Sequence, residues 1–268
     1  MTQTVSERAW RDTGRPFPYV LMYHSIAVHE RDPYLVTVDP RRFDQQLRWM
    51  RDTGLRGVSM RELLLAHWAG EACGLVGLTF DDGYADFARN ALPALRRYGF
   101  TATVFVIAGR IGGDNEWDPE GPRKRLMTAV EVREVAESGV EVGSHGLLHQ
   151  HMSYLDDDEL VPEVVESREL LREITGQDVT GFCYPYGDVD QRVVDTVAAA
   201  GYEYGCAIWR SEVSGLHALP RTYIGDRDGT LRLHAKHLRH RLTGALTARQ
   251  VRRAPAVRSA TGSVLKFR

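Results

Sequence analysis

The chain has 268 residues, of which 26% are charged, and its formal net charge is only −2. These are the proportions of an ordinary soluble globular protein, long enough to bury a core without disulfides. Its three cysteines, Cys73, Cys183 and Cys206, show neither framework nor C-x-x-C spacing, which argues against a disulfide-stapled scaffold and a cysteine-based zinc site.

In chain order, residues 1–18 are polar and mixed in charge, with no apolar signal core, and read as an N-terminal extension. No apolar run approaches the roughly 20 residues needed to span a bilayer, so the expected location is cytoplasmic. The first apolar run is Tyr19–Tyr23. Phe43, Leu47 and Met50 then recur at helical spacing up to Gly54. A short strand at Gly57–Ser59 and a helix from Met60 to Trp68 follow. Leu75–Phe80 reads as a strand, Tyr84–Tyr98 as a helix closed by Gly99, and Thr101–Ile107 as another strand. A polar, Gly-rich loop covers Gly109–Arg125. Helix Ala129–Ser138 leads into strand Val140–Gly143, and a long helix covers Asp156–Thr175 with acidic residues in its first turn. Strand Thr180–Tyr184, helix Val189–Ala200 and strand Tyr204–Trp209 come next. A last helix, near Leu231, Leu238, Leu242 and Leu246, is expected to pack on the rest.

That alternation makes about seven β-α repeats and implies a mainly parallel sheet with helices outside. At this length a β/α barrel is favoured over an open sheet. No Gly-x-Gly-x-x-Gly follows the first strand, which weakens a dinucleotide-binding reading. From Arg232 to Arg268 every formally charged residue is Lys or Arg. A basic tail of this kind is favoured as a solvated, partly disordered terminus; weak contact with an anionic membrane surface, nucleic acid or another anionic partner is the alternative. No nucleic-acid partner is expected. The expected organisation is an extension over 1–18, a domain over 19–243 and a basic, partly disordered tail over 244–268.

Polar residues cluster at the ends of the apolar runs. His24 follows YVLMY, Asp81 and Asp82 follow LTF, His145 follows VEVGS, Pro185 and Tyr186 follow GFCY, and Trp209 follows CAI. In a β/α barrel the carboxyl ends of all strands open on one face, where active sites sit. Adjacent carboxylates repel unless a cation neutralises one, and Gly83 permits a sharp turn that lets both project; a plain Asp-Gly surface turn is the other reading. His145 and His149 are four residues apart, a spacing that can face one ion but also arises between unrelated histidines. His151 has a different offset and reads as a rim residue. One carboxylate and two imidazoles would leave positions open for water and substrate, as in a catalytic metal site.

The succession TFDDG, SHGLLH and FCYPYG resembles the polysaccharide deacetylase family (the NodB-homology, carbohydrate esterase 4 group), from about Tyr19 to Ile224. The early LMYHSI resembles the branch that includes the poly-N-acetylglucosamine deacetylases. The resemblance implies a distorted (β/α)7-type barrel of NodB-like α/β fold. It implies a metal-dependent hydrolase that removes N-acetyl groups from a sugar or glycan. Carried over position by position, it makes Asp81 the general base and Asp82, His145 and His149 the ligands of a divalent metal, zinc first, with nickel or cobalt next. His24 takes the general-acid role. Pro185 and Tyr186 line the sugar pocket, and the Tyr186 backbone N–H faces the oxyanion. The chain departs from the pattern at Cys183, where many members carry an Arg against the base. The element Leu219-Pro220-Arg221 resembles a motif of the same branch, so Arg221 is the expected substitute charge; a structural Arg on a loop is the alternative. Trp209 is a candidate for stacking on a sugar face, as is Trp117 less directly. A metal-dependent amidase acting on a cyclic ureide and a non-catalytic glycan-binding module remain as other readings.

Overall fold

The computed structural model describes residues 15–208, 211 and 213–253. Trp209 lies outside the described residues, so its expected role has no structural counterpart here. Strand β1 (Val20–Tyr23) is followed by the short strands β2 (Ser25–Ile26) and β3 (Thr37–Val38). Then come α1 (Pro40–Asp52), β4 (Arg56–Val58), α2 (Met60–Ala69), β5 (Leu75–Phe80), α3 (Leu92–Tyr98) and β6 (Thr103–Val106). The chain continues through α4 (Ala129–Glu137), β7 (Glu141–Ser144), α5 (Asp157–Thr175), β8 (Gly181–Cys183) and α6 (Gln191–Ala199). It closes with β9 (Tyr204–Cys206), β10 (Thr222–Tyr223) and α7 (Thr230–Arg253).

The main sheet is parallel, in the order β10-β1-β5-β6-β7-β8-β9, with β4 paired to the first half of β5 and β6 to its second half. Its two ends meet. Leu219, just ahead of β10, bridges Cys206 of β9, while Thr222 pairs with Leu21 of β1. The result is the expected α/β architecture, a curled parallel sheet with helices outside, distorted where β4 wedges in. The strands are apolar on both faces and almost wholly buried, as parallel strands covered on both sides must be. Side-chain caps fix the helix starts: Asp39 on the Arg41 N–H for α1, and reciprocal capping boxes Thr128/Glu131 and Asp156/Glu159 for α4 and α5.

Some local expectations change. The helix expected over Tyr84–Tyr98 starts later and is preceded by a π turn at Phe87–Ala91. Pro93 has no N–H to donate inside that stretch, which favours the wider turn before it. Of the strand expected over Tyr204–Trp209, Tyr204–Cys206 forms a strand, Ala207 and Ile208 lie beyond it, and Trp209 is outside the described residues. Helix α7 runs to Arg253, into the segment expected to be a disordered tail. Its leucines also face the other way from expectation. Leu231, Leu238 and Leu242 are 85%, 58% and 58% exposed, whereas Leu233 is buried and the His237 and His240 rings lie on Tyr19.

Candidate active site

The carboxyl ends of β1, β5, β7 and β8 open on a cleft of about 300 Å³ lined by His24, Asp81, Asp82, His145, His149 and Tyr186, among others. His24, Asp81, Asp82, His145, His149, Tyr186 and Arg221 therefore converge there, whereas Pro185, expected to line the pocket, is buried and not among its lining residues, and Trp209 is not described. Asp81 and Asp82 follow β5 directly and are only 3% and 4% exposed. The turn that lets both point inward needs two successive residues with positive φ, Asp82 at 71° and Gly83 at 72°. Gly83 accepts that conformation without cost; Asp82 does not.

That strain recurs. Outside glycine, the described residues with positive φ are Leu35, Asp82, His149 and Tyr186, and the last three line this one cleft. Each such residue costs on the order of 1–3 kcal/mol, and strained backbone of this kind concentrates at functional sites. Composition and spacing carry no sign of it at His149 or Tyr186.

Asp82 faces two imidazoles. Its Oδ1 lies 3.3 Å from His145 Nε2 and 3.4 Å from His149 Nε2. His145 Nδ1 is 2.7 Å from the Cys183 carbonyl oxygen, which can only accept. Nδ1 therefore carries a proton, and Nε2 is the ring nitrogen that faces Asp82. Burial raises the Asp82 pKa, but the two imidazoles against it outweigh that and hold it well below the usual carboxylate range. Burial lowers the His149 pKa, favouring the neutral ring. One carboxylate and two imidazoles, with ligand atoms all within 4.8 Å of one another, are a donor set that fits a divalent cation. A second grouping, Asp81, His145 and Cys183, is equally compact, but a guanidinium already occupies two of its members.

That guanidinium belongs to Arg221, which rises through the barrel interior from the start of β10. Its Nη1 and Nη2 donate to Asp81 Oδ1 at 2.7 Å and Oδ2 at 2.8 Å, a bidentate pair. The remaining donors reach Thr79 Oγ1, the Ala207 carbonyl and Cys183 Sγ, so the buried cation is fully satisfied. Burial raises the Asp81 pKa, yet Arg221 more than offsets it and the net shift is downward. Cys183, in the position of the missing Arg, is a buried thiol pushed up to about 11 by burial, donating to Asp81 Oδ2 at 3.5 Å. His24 Nε2 lies 3.9 Å from the same Oδ2. The turn after His24 is pinned by Asp86, which accepts from Ser25 Oγ at 2.7 Å and from the Ile26 N–H at 2.8 Å.

Profile comparison matches residues 70–205 to the family described as polysaccharide deacetylase. That span is about half of the sequence and contains Asp81, Asp82, His145, His149, Pro185 and Tyr186. The chain belongs to the polysaccharide deacetylase family. It is 28% identical over 222 residues to YxkH of Bacillus subtilis, a protein named provisionally as a polysaccharide deacetylase, covering 81% of this chain and 75% of that one. It is 22% identical to a poly-beta-1,6-N-acetyl-D-glucosamine N-deacetylase of Staphylococcus aureus, over 71% of this chain and 68% of that one. Among solved structures, the Streptococcus pyogenes deacetylase PplD in complex with acetate superposes with a TM-score of 0.68 at 27% identity, covering 82% of this chain and 98% of that one. IcaB from Ammonifex degensii shares the fold, with a TM-score of 0.63 at 22% identity over 82% and 96% of the two chains.

Two residues of the cleft, His24 and Arg221, come from outside the matched span and enter from either flank. Others were not legible as site residues. Glu163, buried in α5, accepts from the Leu147 N–H at 2.7 Å and the Leu148 N–H at 3.0 Å, and so holds the loop between the two histidines. In sequence it is one more acid on a helix. Trp117, the less direct stacking candidate, lines the cleft from the Gly109–Arg125 loop, and so does Asp118, for which the loop's unusual length was the available signal. The Trp117 ring lies 4.5 Å from that of His149. Asp118 is pushed up to about 6, chiefly by burial and then by Asp82. His151 does sit at the rim, hydrogen-bonded to Asp188 at 2.7 Å and stacked on Tyr186 at 3.8 Å. Asp228, which had no expected role, accepts from the Gly225 N–H and pairs with Lys236, bracing the turn into α7.

Proposed function

We propose that the chain is a metal-dependent hydrolase that removes N-acetyl groups from an N-acetylated sugar or glycan and releases acetate. The observation that carries this reading is the division inside one turn: Asp81 is paired to a buried cation while Asp82 faces the Nε2 atoms of two imidazoles. Asp82, His145 and His149 would hold the ion, and their mixed oxygen and nitrogen donors suit zinc, with nickel and cobalt next. Such an ion supplies a Lewis acid for the acetamide carbonyl and an acidified water.

The chain's own groups account for the proton transfers. Asp81 takes the proton of the attacking water at Oδ2, the oxygen nearer His24. Arg221 keeps that carboxylate ionised and fixes its plane. His24 delivers a proton from Nε2 to the departing nitrogen, so that the carbon–nitrogen bond breaks to give acetate and an amine. The Tyr186 backbone N–H donates to the developing oxyanion from its strained turn. Pro185 lies at the start of that turn and sets its entry. A saccharide is supported by the aromatic faces of Trp117 and Tyr186 around the cleft and by the named activity of the Staphylococcus aureus relative.

The test is acetate release from a panel of N-acetylated monosaccharides and oligomers, including β-1,6-linked N-acetylglucosamine oligomers. The protein is first stripped with a chelator and then reloaded with zinc, nickel or cobalt. Release that requires reloading is the expected result. No release above the stripped control from any saccharide, with release from a cyclic ureide instead, would overturn the saccharide reading.

A further inference from the structure

Helix α7 is amphipathic in the wrong sense for a helix that serves only the barrel. The side it turns inward carries Leu233 and the rings of His237 and His240, which lie against Tyr19 and, for His237, Trp49. The opposite side carries Leu231, Leu238 and Leu242, spaced by seven and four residues and therefore on one stripe. All three are more than half exposed. Exposing an apolar stripe while placing imidazoles on the packed side has no folding advantage, because the same residues exchanged would bury more apolar surface. Arg232 and Arg241, both exposed, flank the stripe on either side. No acidic residue follows Asp228 anywhere in the sequence.

We infer that the outward face of α7 is a docking surface for anionic phospholipid, with the helix lying in the plane of the headgroups. An apolar stripe between basic flanks is the pattern of a helix that inserts its apolar side at the headgroup boundary while cations meet lipid phosphates. The charge selects this occupant over a second copy of the chain, since two such helices face to face would bring like charges together. It also selects against nucleic acid, which would meet the cations but leave the leucines in water. No helix among the described residues is long and apolar enough to cross a membrane, so the contact is peripheral. Helix α7 leaves directly from the turn after β10, whose Tyr223 lines the cleft, so the surface would lie beside the site.

The experiment is co-sedimentation of the full chain with vesicles of phosphatidylcholine alone and of phosphatidylcholine with phosphatidylglycerol. Two variants are compared, Leu231→Ser with Leu238→Ser and Leu242→Ser, and separately Arg232→Glu with Arg241→Glu. Circular dichroism checks that both retain the native helix content, which substitutions at exposed positions leave intact. Binding to the anionic vesicles only, weakened by salt and reduced roughly tenfold or more in each variant, is the expected result. Absence of binding to anionic vesicles, or binding indifferent to both variants, overturns the inference. So does a concentration-dependent dimer in sedimentation velocity that the leucine variant abolishes. Binding to duplex DNA that the charge variant loses and the leucine variant keeps overturns it as well.

Discussion

Asp81 and Asp82 are consecutive, equally buried and on the same turn, yet they look into different halves of the barrel. Asp82 faces the Nε2 atoms of two imidazoles, in a set contributed by the turn after β5 and the loop after β7. Asp81 sees a permanent cation that comes up from the opposite end of the last strand. The peptide chain makes them neighbours, but the partners that separate their roles come from more than 60 and about 140 positions away, and only the closed sheet unites them. Two like carboxylates thus have different surroundings, the kind of arrangement by which acid–base sites pull paired groups apart.

The largest effect that tests this asymmetry is on turnover. Asp81→Asn keeps the shape but removes the proton acceptor and one half of the Arg221 pair, and acetate release should fall by about 10²–10⁴-fold. Unchanged turnover in that variant would place the base elsewhere. Removal of the cation comes next. Arg221→Met leaves Asp81 buried without its counter-charge and should cost about 3–5 kcal/mol in urea unfolding. The same variant has a pH signature. In the native chain Arg221 outweighs burial and lowers the Asp81 pKa, so the base stays ionised and the rate falls only at pH below the usual carboxylate range. Without Arg221 burial is opposed only by His24 and His145 and that pKa rises, so the acid limb of the pH–rate profile should move to higher pH. A limb that stays in place would show that Arg221 does not act on Asp81.

The smallest expected effect concerns the other half of the pair. Glu163 touches neither carboxylate but fixes the loop that aims His149 at Asp82. Glu163→Gln should weaken metal affinity by about 10–100-fold in a chelator competition, with little change in the metal-saturated rate. Equal affinity would mean that the strained His149 backbone holds itself.

What sequence could disclose followed a simple rule. Groups placed immediately after apolar runs, His24, Asp81, Asp82, His145 and Tyr186, were legible because strand ends converge in any parallel barrel. Arg221 was legible only through the Leu-Pro-Arg resemblance, since nothing local says that a residue ahead of a two-residue strand will cross the interior. Glu163 and Asp86 were not legible, because their function lies in which distant N–H groups they accept from. The alternation of β and α implied the curled sheet, but not the small β2–β3 pair or the closing bridge at Leu219, which are too short to leave a periodic pattern. Helix α7 was misjudged for a physical reason: the expectation that leucines face inward assumes water on the other side.

The central claim is that adjacent carboxylates divide the labour, one holding metal and one holding the proton. Metal content, measured by mass spectrometry on Asp81→Asn and Asp82→Asn after identical loading with zinc and removal of the excess, tests it most directly. The account predicts near-stoichiometric metal in Asp81→Asn and almost none in Asp82→Asn. Equal occupancy of the two variants, or loss confined to Asp81→Asn, would contradict it.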